Sequence, residues 1–213
     1  MRMTLGAGIL SPARMQLRHL AMFAWWENEA ALDAFLKESR LGRVLAGAGG
    51  TGAWHVRLAF LRRWGYVSEL EGLPESMPEN ETQDPEAPVV AVTLARMKLL
   101  QVPRFIRWGR PVETLVRDHP GTTLAMAAMR LPRTVSTFTV WRSGREMIEM
   151  VRGHSAVPEP KRHIAAMAER EAMDVERLLA AAGFKMQFAS TPELEAHLET
   201  VRPQRKLVPA PVD

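Results

Sequence analysis

The sequence predicts an α+β fold in two related halves, each an antiparallel sheet with helices on one face. Segments rich in β-branched and aromatic residues alternate with segments of helical apolar spacing. An acidic, proline-rich stretch at 68–88 separates the two sets of segments. The stretches FAWWENEAALDAFL at 23–36 and FTVWRSGREMIEMV at 138–151 share one layout. In both, a strand ends in tryptophan and a helix follows at once, which indicates an internal repeat.

Composition limits the classes to which the protein can belong. The 213 residues are 46% hydrophobic, which suits one large domain or two small ones with real cores. No apolar run approaches the ~20 residues of a membrane-spanning helix, and residues 1–20 lack the apolar centre of a secretory signal. The chain has no cysteine, which excludes disulfides, thiolate catalysis and cysteine-ligated metals. We therefore expect a cytoplasmic protein.

The net charge of +4 is unevenly distributed along the chain. The stretch 68–88 holds seven acidic residues and no basic ones, so the remainder of the chain carries +11. A basic body attracts nucleic acid, anionic lipid or an anionic ligand, although a solvated arginine-rich surface has the same composition. No Lys/Arg cluster is interleaved with aromatic residues, so we expect no nucleic-acid partner. Peripheral contact with a membrane remains an expectation.

The C-terminal half, 89–190, has the clearer pattern of elements. Gly109 and Pro111 are expected to kink or split its first helix, and Ser143 is expected to cap its second. The predicted strands are 89–98, 122–131, 135–141 and 184–190, and the predicted helices are 104–119, 144–154 and 161–182. The order β-α-β-β-α-α-β predicts a ferredoxin-like half, and residues 191–213 are left as a C-terminal tail.

The N-terminal half, 1–67, repeats part of this pattern. Its predicted elements are strands at 3–10, 17–26 and 53–64 and a helix at 27–45. The order β-β-α-β lacks the first strand and the first helix of the C-terminal half. We therefore predict tandem ferredoxin-like halves, with the N-terminal half truncated and the stretch 68–88 as the linker between them.

The tryptophan-containing segments carry a resemblance to a known family. The segments FAWWENEAALDAFL at 23–36, GAWHVRLAFLRRWG at 52–65, TLAR at 93–96 and TFTVWRS at 137–143 resemble the spheroidene monooxygenase family. That family falls in the dimeric α/β-barrel superfamily, where two ferredoxin-like sheets face one another across a pocket. The resemblance implies a monooxygenase acting on a hydrophobic, carotenoid-like small molecule, with haem as the cofactor. An incomplete first half would leave a sheet face able to recruit a second copy, so a homodimer is a further expectation.

The same resemblance implies roles for four residues. A helix histidine is the axial ligand in haem-degrading members of the superfamily, so His154, thirteen residues after Trp141, is the first candidate ligand of the haem iron. His163 is the second candidate. Trp141 and Arg142 are the catalytic candidates, because Trp141 would shape the pocket and Arg142 would neutralise the haem propionates. Simpler roles are a core anchor for Trp141 and a favourable helix-dipole contact for His154.

Other functions fit the same residues. A non-catalytic ligand-binding or dimerisation module of the same fold is the main alternative, and a cofactor-free monooxygenase is a third. The thirteen methionines would suit either an apolar pocket or an ordinary core. Asp118 and His119 have the composition of an acid/base pair, but they lie in the sequence DHPG, where turn formation explains Asp and Pro equally well.

Overall fold

The protein is an α+β structure built on one antiparallel sheet. The computed structural model describes residues 1–8, 11–46, 53, 55–65, 72–77, 84–172 and 179–187. The helices are α1 (Glu29–Glu38), α2 (Arg40–Leu45), α3 (Val102–Asp118), α4 (Gly144–Val151) and α5 (Arg162–Ala172), with short 3-10 helices at Pro12–Arg14 and Leu99–Gln101. The strands are β1 (Arg2–Met3), β2 (Met15–Gln16), β3 (Arg57–Trp64), β4 (Val89–Arg96), β5 (Thr122–Arg130), β6 (Thr134–Trp141) and β7 (Leu179–Gln187).

The seven strands lie in the order β2-β1-β5-β6-β4-β7-β3, and each recorded pairing is antiparallel. β6 is central to the site described below because it pairs with β4 on one side and with β5 on the other. At one end of β6, Trp141 is the cross-strand partner of both Val89 and Thr122. At the other end, Thr134 is the cross-strand partner of both Arg96 and Arg130. Side chains that are far apart in sequence therefore form rows across the sheet.

The predicted element order of the C-terminal half is confirmed through β4, α3, β5, β6 and α4. Ser143 caps α4 as predicted, since its Oγ accepts a hydrogen bond from the Glu146 N–H at 3.2 Å. Gly109 and Pro111 were expected to kink or split the first helix, and the split is wrong, because α3 runs from Val102 to Asp118 with Pro111 inside it. Packing of its buried Leu115 against the sheet keeps the helix in one piece despite the hydrogen bond that proline removes.

The predicted helix at 161–182 is wrong in its last part. α5 ends at Ala172 among the described residues, and Leu179–Ala182 belong to β7. β7 lies between β4 and β3 and pairs with both. An apolar run of this length fits a strand with two neighbours as well as it fits a helix, so periodicity alone does not distinguish them. Residues 188–190 of the predicted final strand lie outside the described residues, as does the tail 191–213.

The N-terminal half does not form the separate sheet that was predicted. The segment 17–26, predicted as a strand, has no strand in the structure, and of the predicted strand at 3–10 only Met3 lies in a strand, β1, among the described residues 3–8. β1 pairs with β5 at one edge of the sheet, and β3 pairs with β7 at the other edge. The described parts of both halves therefore extend one sheet instead of building two facing ones, because each edge of the C-terminal sheet offers free backbone groups for pairing.

Part of the predicted linker is packed against the sheet. Residues 72–77, here called the strap, run beside β3. The Arg63 N–H donates to the Glu75 carbonyl at 2.9 Å, and the Met77 N–H donates to the Leu61 carbonyl at 3.0 Å. Leu73 of the strap is only 2% exposed. The stretch 68–88 was predicted to be a linker from its acidic composition, but it contains a short segment with one buried leucine. Residues 68–71 and 78–83 lie outside the described residues.

The sheet carries an apolar cluster on each of its faces. On the helix side, the buried residues are Val89, Leu115, Trp141 and Met150. On the opposite side, they are Phe60, Leu73, Val90, Val92, Leu124 and Val140. Neighbouring strand residues point to opposite faces, so Val89 and Val90 belong to different clusters. None of the described helices is long and apolar enough to cross a membrane.

Candidate functional site

Trp141, a predicted catalytic residue, is a core residue of the helix side. Its side chain is 1% exposed, and it packs with Val89, Leu115 and Met150. The indole N–H donates to Thr139 Oγ1 at 3.0 Å, so its one polar group is satisfied inside the protein. The position at the end of β6 places the ring beneath α4, where it anchors the helix to the sheet.

Arg142, the other predicted catalytic residue, lies at the surface and holds a turn. Its Nη2 donates to the Pro120 carbonyl at 2.6 Å, and its backbone N–H donates to the Gly121 carbonyl at 2.8 Å. Nη1 lies 3.8 Å from Glu146 Oε1, and the side chain is 64% exposed. These contacts tie the start of α4 to the turn at 119–121 that precedes β5.

His154, the first predicted haem ligand, is exposed just beyond the end of α4. Its backbone N–H donates to the Glu149 carbonyl at 2.8 Å, which closes the last helical turn. The imidazole lines an open cavity of about 370 Å³ together with Pro85, Arg145, Ile148, Glu149 and Arg152. Arg145 is also paired with Glu86 on the rim. The cavity is therefore a charged surface depression.

His163, the second predicted ligand, lies at the start of α5 and is half-buried. Its Nδ1 is 3.2 Å from the Val151 carbonyl at the end of α4. Burial lowers the pKa of His163, and the contact with the Val151 carbonyl opposes that shift only in part. The lowered pKa favours the neutral imidazole, and the contact with the Val151 carbonyl joins α5 to α4.

The haem that the resemblance implies does not fit these residues. A haem needs an apolar slot next to its axial ligand, but the cavity beside His154 is lined by Arg145, Glu149 and Arg152. His154 and His163 also follow or belong to helices on one side of the sheet, while the half-exposed apolar face is on the other side. Among the described residues, no group of three histidine or carboxylate side chains is arranged to hold a metal ion.

His119 is a buried residue of the helix side, and the half-buried Glu146 acts on it through its charge. The His119 side chain is 5% exposed, and its ring centroid is 5.1 Å from that of Trp141. Nδ1 accepts a hydrogen bond from the Gly121 N–H at 3.0 Å, so the proton of the neutral ring is on Nε2. Within the described part of the chain, both His119 Nε2 and Glu146 Oε2 are buried without a hydrogen-bond partner.

The pKa of His119 is lowered, mainly by burial. Glu146 and Glu149 oppose this shift because their negative charges favour the imidazolium form, while Arg142 adds to it. Gly121 lies close to the same carboxylate, since a Cβ there would lie 2.7 Å from Glu146 Oε2 and the Glu146 side chain would have to move. Asp118, the predicted partner of His119, bonds to Arg117 instead, with 2.6 Å between its Oδ1 and Arg117 Nε.

The sheet face opposite the helices carries a more extensive candidate site, here called the open sheet face. It consists of four rows of three residues, one each from β5, β6 and β4. Along the strands, the rows are Leu124–Val140–Val90, Met126–Phe138–Val92, Ala128–Ser136–Leu94 and Arg130–Thr134–Arg96. The strand alternation places all these side chains on the same face. The first three rows are thus apolar apart from one serine, and the fourth is cationic.

Burial decreases from the first row of this face to the fourth. Leu124, Val140 and Val90 are 8%, 6% and 0% exposed and belong to one buried cluster with Phe60 and Leu73. The third row is half-buried, and Arg130 in the fourth row is exposed. Ala128 and Ser136 have small side chains, so the third row forms a shallow depression between the bulkier second row and the arginines of the fourth row.

A further arginine borders the third row. Arg2 of β1 is the cross-strand partner of Ala128, and Met3 packs on the helix side, so Arg2 is on the open sheet face. Sequence analysis did not find this site, because each row joins residues from strands that are separated along the chain. The alternating apolar residues of β5 and β6 were the only available indication.

Comparison with known proteins identifies no relative of this chain. No known protein family, curated protein or solved structure matches it. The resemblance to the spheroidene monooxygenase family therefore stays a prediction. The function has to be argued from the residues of the open sheet face and their surroundings.

Proposed function

We propose that the protein is a binding module for an elongated apolar molecule with an anionic end, held on the open sheet face. The observation that carries this proposal is the sequence of rows on that face, three apolar and then one with two arginines. These rows match the chemistry of a fatty-acid-like ligand, which has a chain that leaves water and a head group that needs a cation.

The apolar rows suit the chain of such a ligand. Rows on one face are two residues apart, or about 6.7 Å, so the second to the fourth row spans about 13 Å. Phe138 and Met126 form the floor at the inner end, and both are only half-buried in the protein. Thioether and aromatic side chains adapt to apolar ligands of irregular shape. Covering these side chains with a ligand chain removes apolar surface from water on both partners.

The fourth row suits the anionic end. Arg96 and Arg130 flank Thr134 across neighbouring strands, so two arginine side chains and one hydroxyl belong to the row that ends the apolar rows. Arg2 lies beside the third row. Guanidinium groups donate paired, charge-assisted hydrogen bonds to carboxylates, phosphates or sulfates. The polarity of the rows would therefore orient the ligand with its chain toward the first row.

The strand order supports a ferredoxin-like fold as the framework of this site. β4, α3, β5, β6, the helices α4 and α5, and β7 follow the order of such a unit, and their strands lie as β5-β6-β4-β7. In this arrangement helices cover one face of the sheet and the other is open to a ligand or a second subunit. A homodimer packed through this face is the competing use of the same surface.

Binding is a better fit to these residues than catalysis. None of the residues in the four rows is a histidine or a carboxylate, so the face offers no acid or base of ordinary pKa. A monooxygenase, with haem or without, remains a prediction from the resemblance. The unused His119 and Glu146 lie on the helix side, across the sheet from the proposed ligand.

Titration with dodecanoate in a calorimeter tests the proposal. Wild-type protein is expected to bind one dodecanoate per chain, and Arg130→Gln is expected to weaken binding about tenfold because it removes a charge-assisted contact. Ala128→Leu is expected to weaken binding as well, by filling the shallow third row. Arg142→Gln is the matched control, since Arg142 is exposed on the other side of the sheet.

The ligand's own chemistry provides a second control. Dodecyltrimethylammonium has the same chain with a cationic head, and it should bind more weakly than dodecanoate. Equal affinity for the two ligands, or equal effects of Arg130→Gln and Arg142→Gln, would contradict the proposal. Light scattering on the same samples shows whether a second copy occupies the face instead, in which case dodecanoate should compete with dimer formation.

A further inference from the structure

One end of the sheet brings together two loops with exposed leucines. β4 ends at Arg96, and the chain continues through Met97 and Lys98 into the 3-10 helix Leu99–Gln101. The turn 131–133 joins β5 to β6 at the same end, since Arg96 and Arg130 both face Thr134. The Met97 N–H donates to the Arg133 carbonyl at 2.9 Å, which fixes the two loops side by side.

These loops present large aliphatic side chains to solvent. Leu100 is 95% exposed, Leu131 is 68% exposed and Leu99 is 58% exposed. Three such side chains at one end of a domain are unusual for a surface that meets only water. Trp108 adds a partly exposed indole, 38% exposed, on the first turns of α3. Its spacing of four residues from Arg104 places both on one helix face.

The same end is strongly basic. The cations are Arg96, Lys98, Arg104, Arg107, Arg130 and Arg133, and the stretches 87–112 and 119–145 that contain them have no acidic residue. Lys98, Arg104, Arg107 and Arg130 are exposed. Leucines surrounded by cations match the surface of an anionic bilayer, where apolar side chains enter the head-group region and cations meet lipid phosphates and carboxylates.

We infer that this leucine–cation end docks the protein on an anionic membrane surface, with Leu99, Leu100 and Leu131 inserted. Nucleic acid fits the charge but not the leucines, because single strands stack on aromatic rings and duplexes are contacted through polar groups. The fourth row of the open sheet face lies at this end, so docking would bring the proposed ligand site to the lipid. The inference stands apart from the ligand proposal and is tested without dodecanoate.

Vesicle sedimentation tests the inference. Wild-type protein is expected to sediment with phosphatidylcholine vesicles that contain phosphatidylserine, and less with phosphatidylcholine alone. The double variant Leu99→Ser/Leu100→Ser is expected to partition about tenfold less, since it removes inserted apolar surface. Arg104→Gln/Arg107→Gln is expected to reduce the preference for phosphatidylserine and the sensitivity of binding to salt.

Leu41→Ser/Val44→Ser is the matched control. Both side chains are on α2 and are 42% and 41% exposed. The neighbouring α1 is tied by Asp33 to Arg57 at the start of β3, away from the leucine–cation end. Unchanged sedimentation of this control, with unchanged circular dichroism of all variants, completes the expected result.

Three results would overturn the inference. The first is wild-type protein that stays in solution with anionic vesicles. The second is sedimentation that is equal for Leu99→Ser/Leu100→Ser and the α2 control. The third is tighter binding to a short DNA duplex than to anionic vesicles, with no effect of the leucine substitutions. Calorimetry with dodecanoate in vesicle-free buffer is independent of all three, so failure of docking is distinguishable from failure of the ligand site.

Discussion

At the scale of single residues, the contact between Trp141 and His119 accounts for the burial of both rings. The rings lie 5.1 Å apart on the helix side of the sheet, and each is almost fully buried. Trp141 satisfies its N–H through Thr139, whereas His119 Nε2 and Glu146 Oε2 are left without partners in the described structure. A buried donor and a buried acceptor in one region destabilise the fold unless water bridges them.

The lowered pKa of His119 leads to a prediction about pH. The folded protein resists protonation of this ring, so the unfolded chain binds more protons near and below its ordinary pKa of 6.5. The contribution of His119 to stability is therefore present above about pH 6.5 and is lost as the pH falls through the lowered, folded-state value. We expect the thermal midpoint of the wild type to fall on acidification.

His119→Asn tests this linkage. Its amide oxygen can still accept the Gly121 N–H, but the side chain does not titrate. The variant is expected to lose less of its thermal midpoint than the wild type between about pH 8 and pH 5. His163→Asn is a necessary comparison, because burial lowers the pKa of His163 as well and acts in the same direction. Identical pH profiles for the wild type and both variants would contradict the account.

At the scale of elements, the junction between β6 and α4 depends on a helix cap. Ser143 is 4% exposed, and its hydroxyl accepts the Glu146 N–H. The same start of α4 carries Glu146, whose negative charge is favoured at a helix N-terminus. In the C-terminal copy the tryptophan-to-helix layout thus marks a strand end, a cap and a helix that packs back on the tryptophan, whereas the N-terminal copy has the cap, Asn28, and the helix without a preceding strand.

Ser143→Ala is expected to lower the free energy of unfolding by about 1 kcal/mol, because it leaves a first-turn N–H without its acceptor. Ser143→Gly is expected to lower it by only a few tenths. Chemical denaturation monitored by circular dichroism measures both changes. A loss that is equal for alanine and glycine would show that Ser143 contributes by filling space and not by capping.

At the scale of the whole molecule, the strap joins the predicted linker to the sheet core. Leu73 enters the cluster of Phe60, Val90 and Val140, and backbone hydrogen bonds hold the strap along β3. The strap thereby extends the apolar cluster of this face beyond the edge strand β3. An acidic stretch of the chain thus has a structural role at its centre.

Leu73→Ala is expected to lower the free energy of unfolding by about 2–5 kcal/mol, because it leaves a cavity in a buried cluster. Leu100→Ala is the matched control, since Leu100 is 95% exposed and the same change should stay within about 0.5 kcal/mol. Denaturation midpoints of the two variants provide the comparison. Similar small effects would mean that the strap is not part of the cooperative core.

The order of elements from β4 to α4 and the cap at Ser143 were predictable from the sequence because they depend on local interactions. β-branched alternation, helical spacing and a hydroxyl before a helix act over a few neighbouring residues. The same reasoning mistook Leu179–Ala182 for helix, because an apolar run acquires its strand conformation only from the partners β4 and β3. The prediction of a haem ligand depended on a resemblance, and the structure has no apolar slot beside His154 in the cavity that this residue lines.

The sequence by itself determined the α+β class, the basic body and the alternation of the central strands. Only the tertiary structure decided which side chains meet. Arg96 and Arg130 become neighbours because both strands pair with β6 at Thr134, and Leu100 and Leu131 share one end through the same pairing. The physical reason is that backbone hydrogen bonds between strands set the register, and the register, unlike local propensity, joins residues that are remote along the chain.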